Sequence, residues 1–160
     1  MRWPMAAHRV EAQRDILAEV VEVWSVLTDL DRTPKVFRSV ERVERVSGQG
    51  YDVGVAWIED RRLFGRTETE TLMITLTDPP RRAVHESQSA GTRYRTEYSL
   101  HPLSLGTRLR VEFSADAGAT SAARRVAWAV FGKLGAKAAR MALEDDLEDI
   151  AKAVESRADR

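Results

Sequence analysis

Residues 82–100 decide the fold, and they read Arg-Ala-Val-His-Glu-Ser-Gln-Ser-Ala-Gly-Thr-Arg-Tyr-Arg-Thr-Glu-Tyr-Ser-Leu. Two extended runs flank Ala90-Gly91, which suits a turn between antiparallel strands. Pairing across this turn predicts three pairs on one face: Ser87 with Tyr94, His85 with Thr96, and Ala83 with Tyr98. On the other face Glu86 meets Arg95, so opposite charges lie together. The stretch therefore predicts a hairpin whose outward face is polar.

The neighbouring segments continue this pattern on both sides. Through the turn that ends at Gly106, the predicted pairs are Tyr98 with Val111, Leu100 with Leu109, and Phe113 with Thr96. Through the turn at 78–81, they are Leu76 with Ala83, Ile74 with His85, and Leu72 with Ser87. The opposite face is polar and carries Thr69, Thr71, Thr75, Arg93, Arg95, Glu97, Arg108, Arg110 and Glu112. This alternation predicts an antiparallel sheet with one face in water.

The rest of the chain supplies further strands and three helices. Extended segments separated by turn residues are predicted at 40–46, 53–60, 66–77, 82–89, 92–100 and 107–115, after an extended run at 7–16. Residues 19–27 have apolar side chains at helical spacing, and residues 34–37 suit a second short helix because Pro34 is tolerated in a first turn.

A long C-terminal helix is predicted from Thr120 to about Ser156, because this segment lacks proline and is rich in alanine, leucine and charge. Its apolar stripe would cover the apolar face of the sheet, and it consists of Leu143, Leu147, Ile150 and Val154. Nearer its start, small residues such as Gly132 and Gly135 either let backbones approach closely or leave space unfilled. The interior beside them is therefore predicted to hold a cavity for a small hydrophobic ligand.

Composition narrows the class of protein further. With 160 residues we expect one domain, 1–160, with its core at about 8–154. Lys and Arg total 25 and Asp and Glu total 25, so no overall field attracts a nucleic acid, and no nucleic-acid partner is predicted. The chain has no cysteine, and neither a membrane-spanning run nor the apolar core of a signal peptide is visible in it. We therefore expect a cytoplasmic protein.

Four short motifs resemble a known family when their order and spacing are taken together. They are Glu22-Val23-Trp24-Ser25-Val26-Leu27-Thr28-Asp29, Val53-Gly54-Val55-Ala56-Trp57, Asp78-Pro79-Pro80-Arg81 and Gly106-Thr107-Arg108-Leu109. Over residues 8–154 the chain resembles the START-related helix-grip (SRPBCC) superfamily, in its polyketide cyclase/dehydrase branch. The resemblance implies an α+β fold in which a curved antiparallel sheet of about six to seven strands wraps a long C-terminal helix, with two short helices after the first strand. It also implies binding of lipids, sterols, quinones or polyketides, and some members are aromatase/cyclases.

His85 is the first candidate for chemistry, because the hairpin register points it inward beside Ser87, Tyr94 and Tyr98. An imidazole in a cavity can act as a general acid or base, since its ordinary pKa lies near neutral pH. The alternative is a core histidine that is hydrogen-bonded to a tyrosine.

Glu70 is the second candidate. If residues 62–65 close a hairpin, Trp57 faces Glu70 and Glu59 faces Glu68, on the same side as Leu72. A carboxylate on an apolar face has a raised pKa and can serve as an acid. A register shift or bulge would instead return both glutamates to water.

Twelve residues are predicted to contact the ligand, and plain core packing is the alternative for each aromatic one. They are Phe37, Trp57, Leu72, Ile74, Ser87, Tyr94, Thr96, Tyr98, Val111, Phe113, Phe131 and Leu134. The basic segment 124–140 suits either contact with an anionic membrane or an ordinary solvated helix face. No spacing typical of metal ligands and no phosphate-binding loop occurs, so neither a metal nor a cofactor is predicted.

Three functions remain open from the sequence. One is a carrier or sensor of a small hydrophobic molecule, and another is a polyketide aromatase/cyclase in which His85 and Glu70 promote aldol closure and water loss. The last is an interaction module that uses the arginine-rich sheet face or the basic helix segment. Either a monomer or a homodimer fits the sequence.

Overall fold

A computed structural model describes residues 8–89, 91–116, 122, 125 and 133–158 of the chain. The first strand and three short helical pieces are β1 (His8–Ile16), α1 (Val20–Leu27), a 3₁₀ turn (Leu30–Arg32) and α2 (Thr33–Val36). Six strands and the final helix follow: β2 (Val40–Ser47), β3 (Ala56–Leu63), β4 (Arg66–Asp78), β5 (Arg82–Ser89), β6 (Thr92–Leu103), β7 (Gly106–Asp116) and α3 (Lys133–Ala158). This is the predicted α+β helix-grip fold. The bounds of the strands and short helices lie within a few residues of those expected, and α3 ends close to the expected Ser156, whereas its expected start at Thr120 lies outside the described residues.

The seven strands form one curved antiparallel sheet in the order β1-β7-β6-β5-β4-β3-β2. The register predicted for residues 82–100 is confirmed, including the pairs His85 with Thr96 and Glu86 with Arg95. The pairs predicted between β6 and β7 are confirmed as well. Residues of β5, β6 and β7 therefore point to the faces that the sequence indicated.

Two predicted registers are wrong. Ile74 pairs with His85 as expected, but Leu76 pairs with Val84 and not with Ala83, because a β-bulge lies between Ile74 and Leu76. The β3–β4 register also differs from the predicted one.

Strands β3 and β4 are joined by a turn of two residues, Phe64 and Gly65, and not by the four residues 62–65. Both have positive φ, 52° and 79°, as hairpin turns of this length require. Trp57 consequently faces Leu72, and Glu59 faces Glu70. The shift is two residues, so each side chain stays on its predicted face, because side chains alternate with a period of two.

The C-terminal helix packs against the sheet through the predicted stripe. Leu143, Leu147, Ile150 and Val154 are all buried, and they share one apolar cluster with Leu109 and Val111 of β7. Burying each such side chain contributes roughly 1.5–3 kcal/mol. Residues 122 and 125 are also helical, whereas Gly132 lies outside the described residues. The stripe fixes which face of α3 meets the sheet.

The outer face of the sheet is covered by ion pairs. Examples are Arg108 with Asp15 at 2.8 Å and Arg95 with Glu97 at 2.7 Å. The first pair joins β7 to β1, whereas the second lies within β6, and both keep that face polar. No helix in the described part of the chain has the length and apolar character needed to cross a membrane.

Candidate functional site

The inner face of β3 carries Trp57, Glu59 and Arg61, because alternate residues of a strand share a face. Arg61 reaches Asp146 of α3, which establishes that this face points toward the helix. Trp57 belongs to a second apolar cluster with Leu72 and Ile74. The sequence of β3 therefore places two charged residues directly beside an apolar surface.

Arg61 is held by several acceptors at once. Its Nε donates to Glu59 Oε1 at 3.0 Å, and its Nη1 donates to both oxygens of Asp146, at 3.0 and 2.8 Å. The same nitrogen lies 3.0 Å from Ser39 Oγ. The guanidinium also lies over the Phe37 ring, 5.8 Å from its centroid. Each of these contacts limits the freedom of Arg61 to reorient toward a ligand.

Glu59 and Asp146 are both buried, with exposed fractions of 8% and 6%. Glu59 Oε2 accepts a second hydrogen bond from Trp57 Nε1 at 3.1 Å. Burial raises the pKa of Asp146, although the charge of Arg61 opposes this. Burial acts to lower the pKa of Arg61, but the carboxylates of Asp146 and Glu59 outweigh it and raise that pKa. The cluster is thus an arginine between two buried carboxylates.

Glu70 stands opposite Glu59 on the same face of the sheet. Its side chain reaches solvent, whereas Glu59 is buried, so the alternative in which both glutamates return to water is wrong for Glu59. Burial raises the pKa of Glu70, and the neighbouring Glu59 carboxylate raises it further, against a lowering by Arg61. The Glu70 side chain is therefore accessible to solvent, but enough protein atoms surround its carboxyl group to raise its pKa.

His85 lies against two aromatic rings. Its ring centroid is 5.6 Å from that of Trp57, in an edge-on arrangement, and 6.1 Å from that of Tyr98. Its Nδ1 is buried and finds no hydrogen-bond partner in the described part of the chain. Burial lowers the pKa of His85 to about 4, an effect that Glu59 opposes and Arg61 increases. His85 is therefore neutral near neutral pH, with a ring nitrogen left unpaired.

Tyr94 and Phe113 form a second aromatic group on the inner face. Their rings are stacked, with centroids 5.8 Å apart and planes 2° from parallel, and both side chains are partly buried. Burial raises the pKa of Tyr94, and the nearby Glu70 carboxylate adds to the effect. The phenol of Tyr94 and the carboxyl of Glu70 therefore belong to one electrostatic environment.

The remaining predicted ligand contacts fall into three groups. Phe37, Leu72, Ile74, Ser87, Tyr98 and Val111 are buried, and Thr96 is partly buried. Phe131 lies outside the described residues, as does the side chain of Leu134. The structure brings His85 into contact with both Trp57 and Tyr98.

Sequence reasoning missed Arg61 and Asp146, which are central to this region. Asp146 falls three residues after Leu143 and four before Ile150, so it lies on the apolar face of α3, a signal that was readable in the helix pattern. Arg61 alternates with Trp57 in the same way. A charged residue of each sign on two inward faces indicates a buried ion pair.

Two surface depressions of the described chain lie elsewhere. One, of about 690 Å³, is bordered by the start of α1 and the β6–β7 turn, including Leu17, Val21 and Leu105. The other, of about 230 Å³, lies between β1, β7 and α3. Neither is lined by a predicted ligand contact. No group of three His, Asp or Glu side chains in the described ranges is placed to hold a metal ion.

Fold and site together define a class of protein, in which a curved antiparallel sheet and a C-terminal helix surround a mainly apolar interior with a few polar groups. The chain belongs to the family described as polyketide cyclase / dehydrase and lipid transport, which matches residues 7–155. A comparison with curated protein sequences gave no match.

Solved structures agree with this fold. A protein of Thermus thermophilus is 19% identical with a TM-score of 0.75, over 93% of this chain and 98% of its own. A START superfamily protein of Mycobacterium smegmatis is 15% identical with a TM-score of 0.74, again over 93% and 98%. The Zhui aromatase/cyclase of a Streptomyces species is 22% identical with a TM-score of 0.70, over 95% and 96%. At these identities the likeness shows the fold alone.

Proposed function

We propose that this protein binds a small hydrophobic molecule against the inner face of its sheet, with the polar end of that molecule at His85. The observation that carries the proposal is the unpaired, buried Nδ1 of His85, whose ring contacts the rings of Trp57 and Tyr98. Family membership supports it, because the family is described by lipid transport as well as by cyclase chemistry.

An unpaired polar atom in a protein interior lowers the stability of the folded state. A buried nitrogen without a partner costs about 1–3 kcal/mol relative to one that is hydrogen-bonded. Such atoms are rare in folded proteins, and a ligand that supplies the missing partner recovers this free energy. The flat rings beside His85 provide the apolar contact that a small hydrophobic molecule needs.

Native mass spectrometry of gently purified protein tests the proposal, because a retained small molecule adds a discrete mass. We expect His85→Phe to reduce retention, since it keeps the ring volume and removes both nitrogens. His101→Phe is the matched control, because His101 is exposed on β6. Retention that is absent from the wild-type protein, or equal in both variants, would count against the site.

A polyketide aromatase/cyclase is the second candidate. The observation in its favour is the position of Glu70, whose raised pKa makes it a proton donor nearer neutral pH, close to Tyr94 and on the same inner face as His85. Neutral His85 would accept the proton removed from a carbon between two carbonyls, and this carbon would then bond to a ketone carbon of the same chain, whose oxygen becomes a hydroxyl on protonation. Glu70 would protonate that hydroxyl so that it leaves as water, while an adjacent C–H bond gives up its proton and supplies the electron pair of the new C=C bond. One solved neighbour is named as an aromatase/cyclase, which agrees with this chemistry.

The enzyme proposal is tested by turnover of an aromatic polyketide precursor. We expect His85→Ala and Glu70→Gln each to abolish cyclisation, with circular dichroism used to verify that each variant is folded at the assay temperature. Glu68→Gln, which removes an exposed carboxyl on the same strand, serves as the control. Turnover that persists in both variants removes these residues from the mechanism.

A further inference from the structure

We infer that the interior selects a ligand whose polar end is uncharged, a hydroxyl or a carbonyl, and discriminates against a carboxylate on the same skeleton. This inference rests on the proposed binding function and adds the chemical class of the ligand. Three observations support it: the charges around His85, the hydrogen bonds that Arg61 already makes, and the unpaired Nδ1 of His85.

The groups around the inner face carry a negative balance. Both oxygens of Glu59 accept hydrogen bonds, and both oxygens of Asp146 accept from Arg61, as ionised carboxylates do. Two carboxylates against one guanidinium leave one negative charge uncompensated. Glu70, opposite Glu59, adds to that charge whenever it ionises. An anionic head group placed near His85 would meet this field without water to screen it.

Arg61 is the obvious anchor for an anionic ligand, but it is already engaged. Its Nε and Nη1 donate to Glu59, Asp146 and Ser39, and its plane lies over Phe37. A ligand carboxylate would have to share this single positive charge with Glu59 and Asp146, whose two negative charges already outweigh it. Arg38 is also committed, because it pairs with Asp149 and Glu148 of α3.

An uncharged polar group meets a better match. A neutral imidazole carries one donor and one acceptor nitrogen, and either tautomer of His85 leaves Nδ1 able to bond a hydroxyl or, as a donor, a carbonyl. Such a group satisfies the unpaired nitrogen without adding charge to the cluster. A hydrophobic alcohol or ketone thus gains the hydrogen bond that a carboxylate would gain only against repulsion.

Isothermal titration calorimetry with two probes of one skeleton, acetylnaphthalene and naphthoate, tests the inference at neutral pH. We expect acetylnaphthalene to bind about tenfold or more tightly than naphthoate, as one uncompensated charge at short range in a protein interior predicts. Naphthoate that binds as tightly as the ketone, or more tightly, would overturn the charge selection while leaving hydrophobic binding intact. If neither probe binds, the proposed binding function fails, and the inference fails with it.

Variants that remove one carboxylate make the test specific. Asp146→Asn keeps an oxygen for Arg61 and removes one negative charge, so naphthoate affinity should rise about tenfold while ketone affinity changes less than about twofold. Glu70→Gln should also raise the ratio of naphthoate affinity to acetylnaphthalene affinity, by a smaller factor. Because the Glu70 side chain reaches solvent, this variant keeps the test available if Asp146→Asn unfolds.

Glu155→Gln is the matched control, because it removes a carboxylate from an exposed position of the same helix. It should leave the ratio of the two affinities unchanged. An equal shift in the control and in Asp146→Asn would mean that net charge and not the interior sets the preference, and it would overturn the inference. No shift in any variant would do the same.

Discussion

Arg61 of β3 donates from Nη1 to both carboxylate oxygens of Asp146 on α3, at 3.0 and 2.8 Å, and thereby joins the sheet to the helix that covers it. The two residues are 85 positions apart in the chain. Because Glu59 accepts a hydrogen bond from Nε of the same arginine, one guanidinium is shared between two buried carboxylates. The packing of α3 on the sheet therefore depends on a polar contact as well as on its apolar stripe.

Removing Arg61 should destabilise the fold strongly. Arg61→Met keeps much of the side-chain volume but leaves Glu59 and Asp146 buried without their cation, so we expect a loss of about 3–5 kcal/mol in the free energy of unfolding. Urea denaturation measures this loss. Adding Asp146→Leu to Arg61→Met should restore part of it, because the second substitution removes one of the abandoned charges.

The control for this cycle is an exposed pair on the outer face of the sheet, Arg108 with Asp15. Arg108→Met should leave the urea midpoint close to that of the wild type, because water compensates the exposed carboxylate. Equal losses for Arg61→Met and Arg108→Met would contradict a buried, structurally important cluster.

Gly106 should not tolerate a side chain. Its φ is +119°, and a Cβ added there would lie 2.1 Å from the carbonyl oxygen of Ile16 at the end of β1. Gly106→Ala must therefore push β1 away from β7 as well as adopt a strained backbone. We expect a loss of about 2 kcal/mol or more, measured by thermal or urea unfolding.

Gly54→Ala separates the two contributions in that prediction. Gly54 also has a positive φ, +94°, but an added Cβ there meets no atom within 4 Å. Gly54→Ala should lower the free energy of unfolding only through the strained backbone conformation, by on the order of 1 kcal/mol. If Gly54→Ala proves as costly as Gly106→Ala, the close approach of β1 is not the cause.

Local signals made much of the sheet predictable. Ala90-Gly91 marks its turn clearly, and the alternation beyond it set the register of three strands correctly. The β3–β4 turn was misjudged because Phe64, with φ +52°, occupies a conformation that bulky residues rarely adopt, so nothing in its type marked a two-residue turn. Each side chain of β3 and β4 nevertheless lies on its predicted face, because the register differs from the predicted one by two residues.

The polar cluster of the site was harder to predict than the strands. His85 could be placed inside from its own hairpin, which is a local contact. The pairing of Arg61 with Asp146 depends on how α3 lies across the sheet, which side-chain periodicity in one element does not specify. Neither residue therefore received a predicted position from the sequence, although both lie at inward positions of their elements.

The protonation of His85 should make stability depend on pH in a defined window. Its pKa is about 4 in the folded protein and 6.5 in its ordinary state, so between these values the unfolded chain binds more protons. Neutral His85 makes its full contribution to the free energy of unfolding above about pH 6.5. This contribution is lost as the pH falls toward 4, by about 3 kcal/mol at most.

The measurement is urea denaturation across that range for the wild type, His85→Gln and His101→Gln. Glutamine cannot titrate, so His85→Gln should flatten the dependence between pH 4 and 6.5, whatever its effect on absolute stability. Glu70 and Asp146 act in the opposite sense, because raised carboxyl pKa values favour the folded state as the pH falls, but they are present in all three proteins. His101 is exposed, and its variant should keep the wild-type slope. A slope unchanged in His85→Gln would mean that the imidazole is already solvated in the folded protein, and the unpaired nitrogen that the binding proposal depends on would not exist.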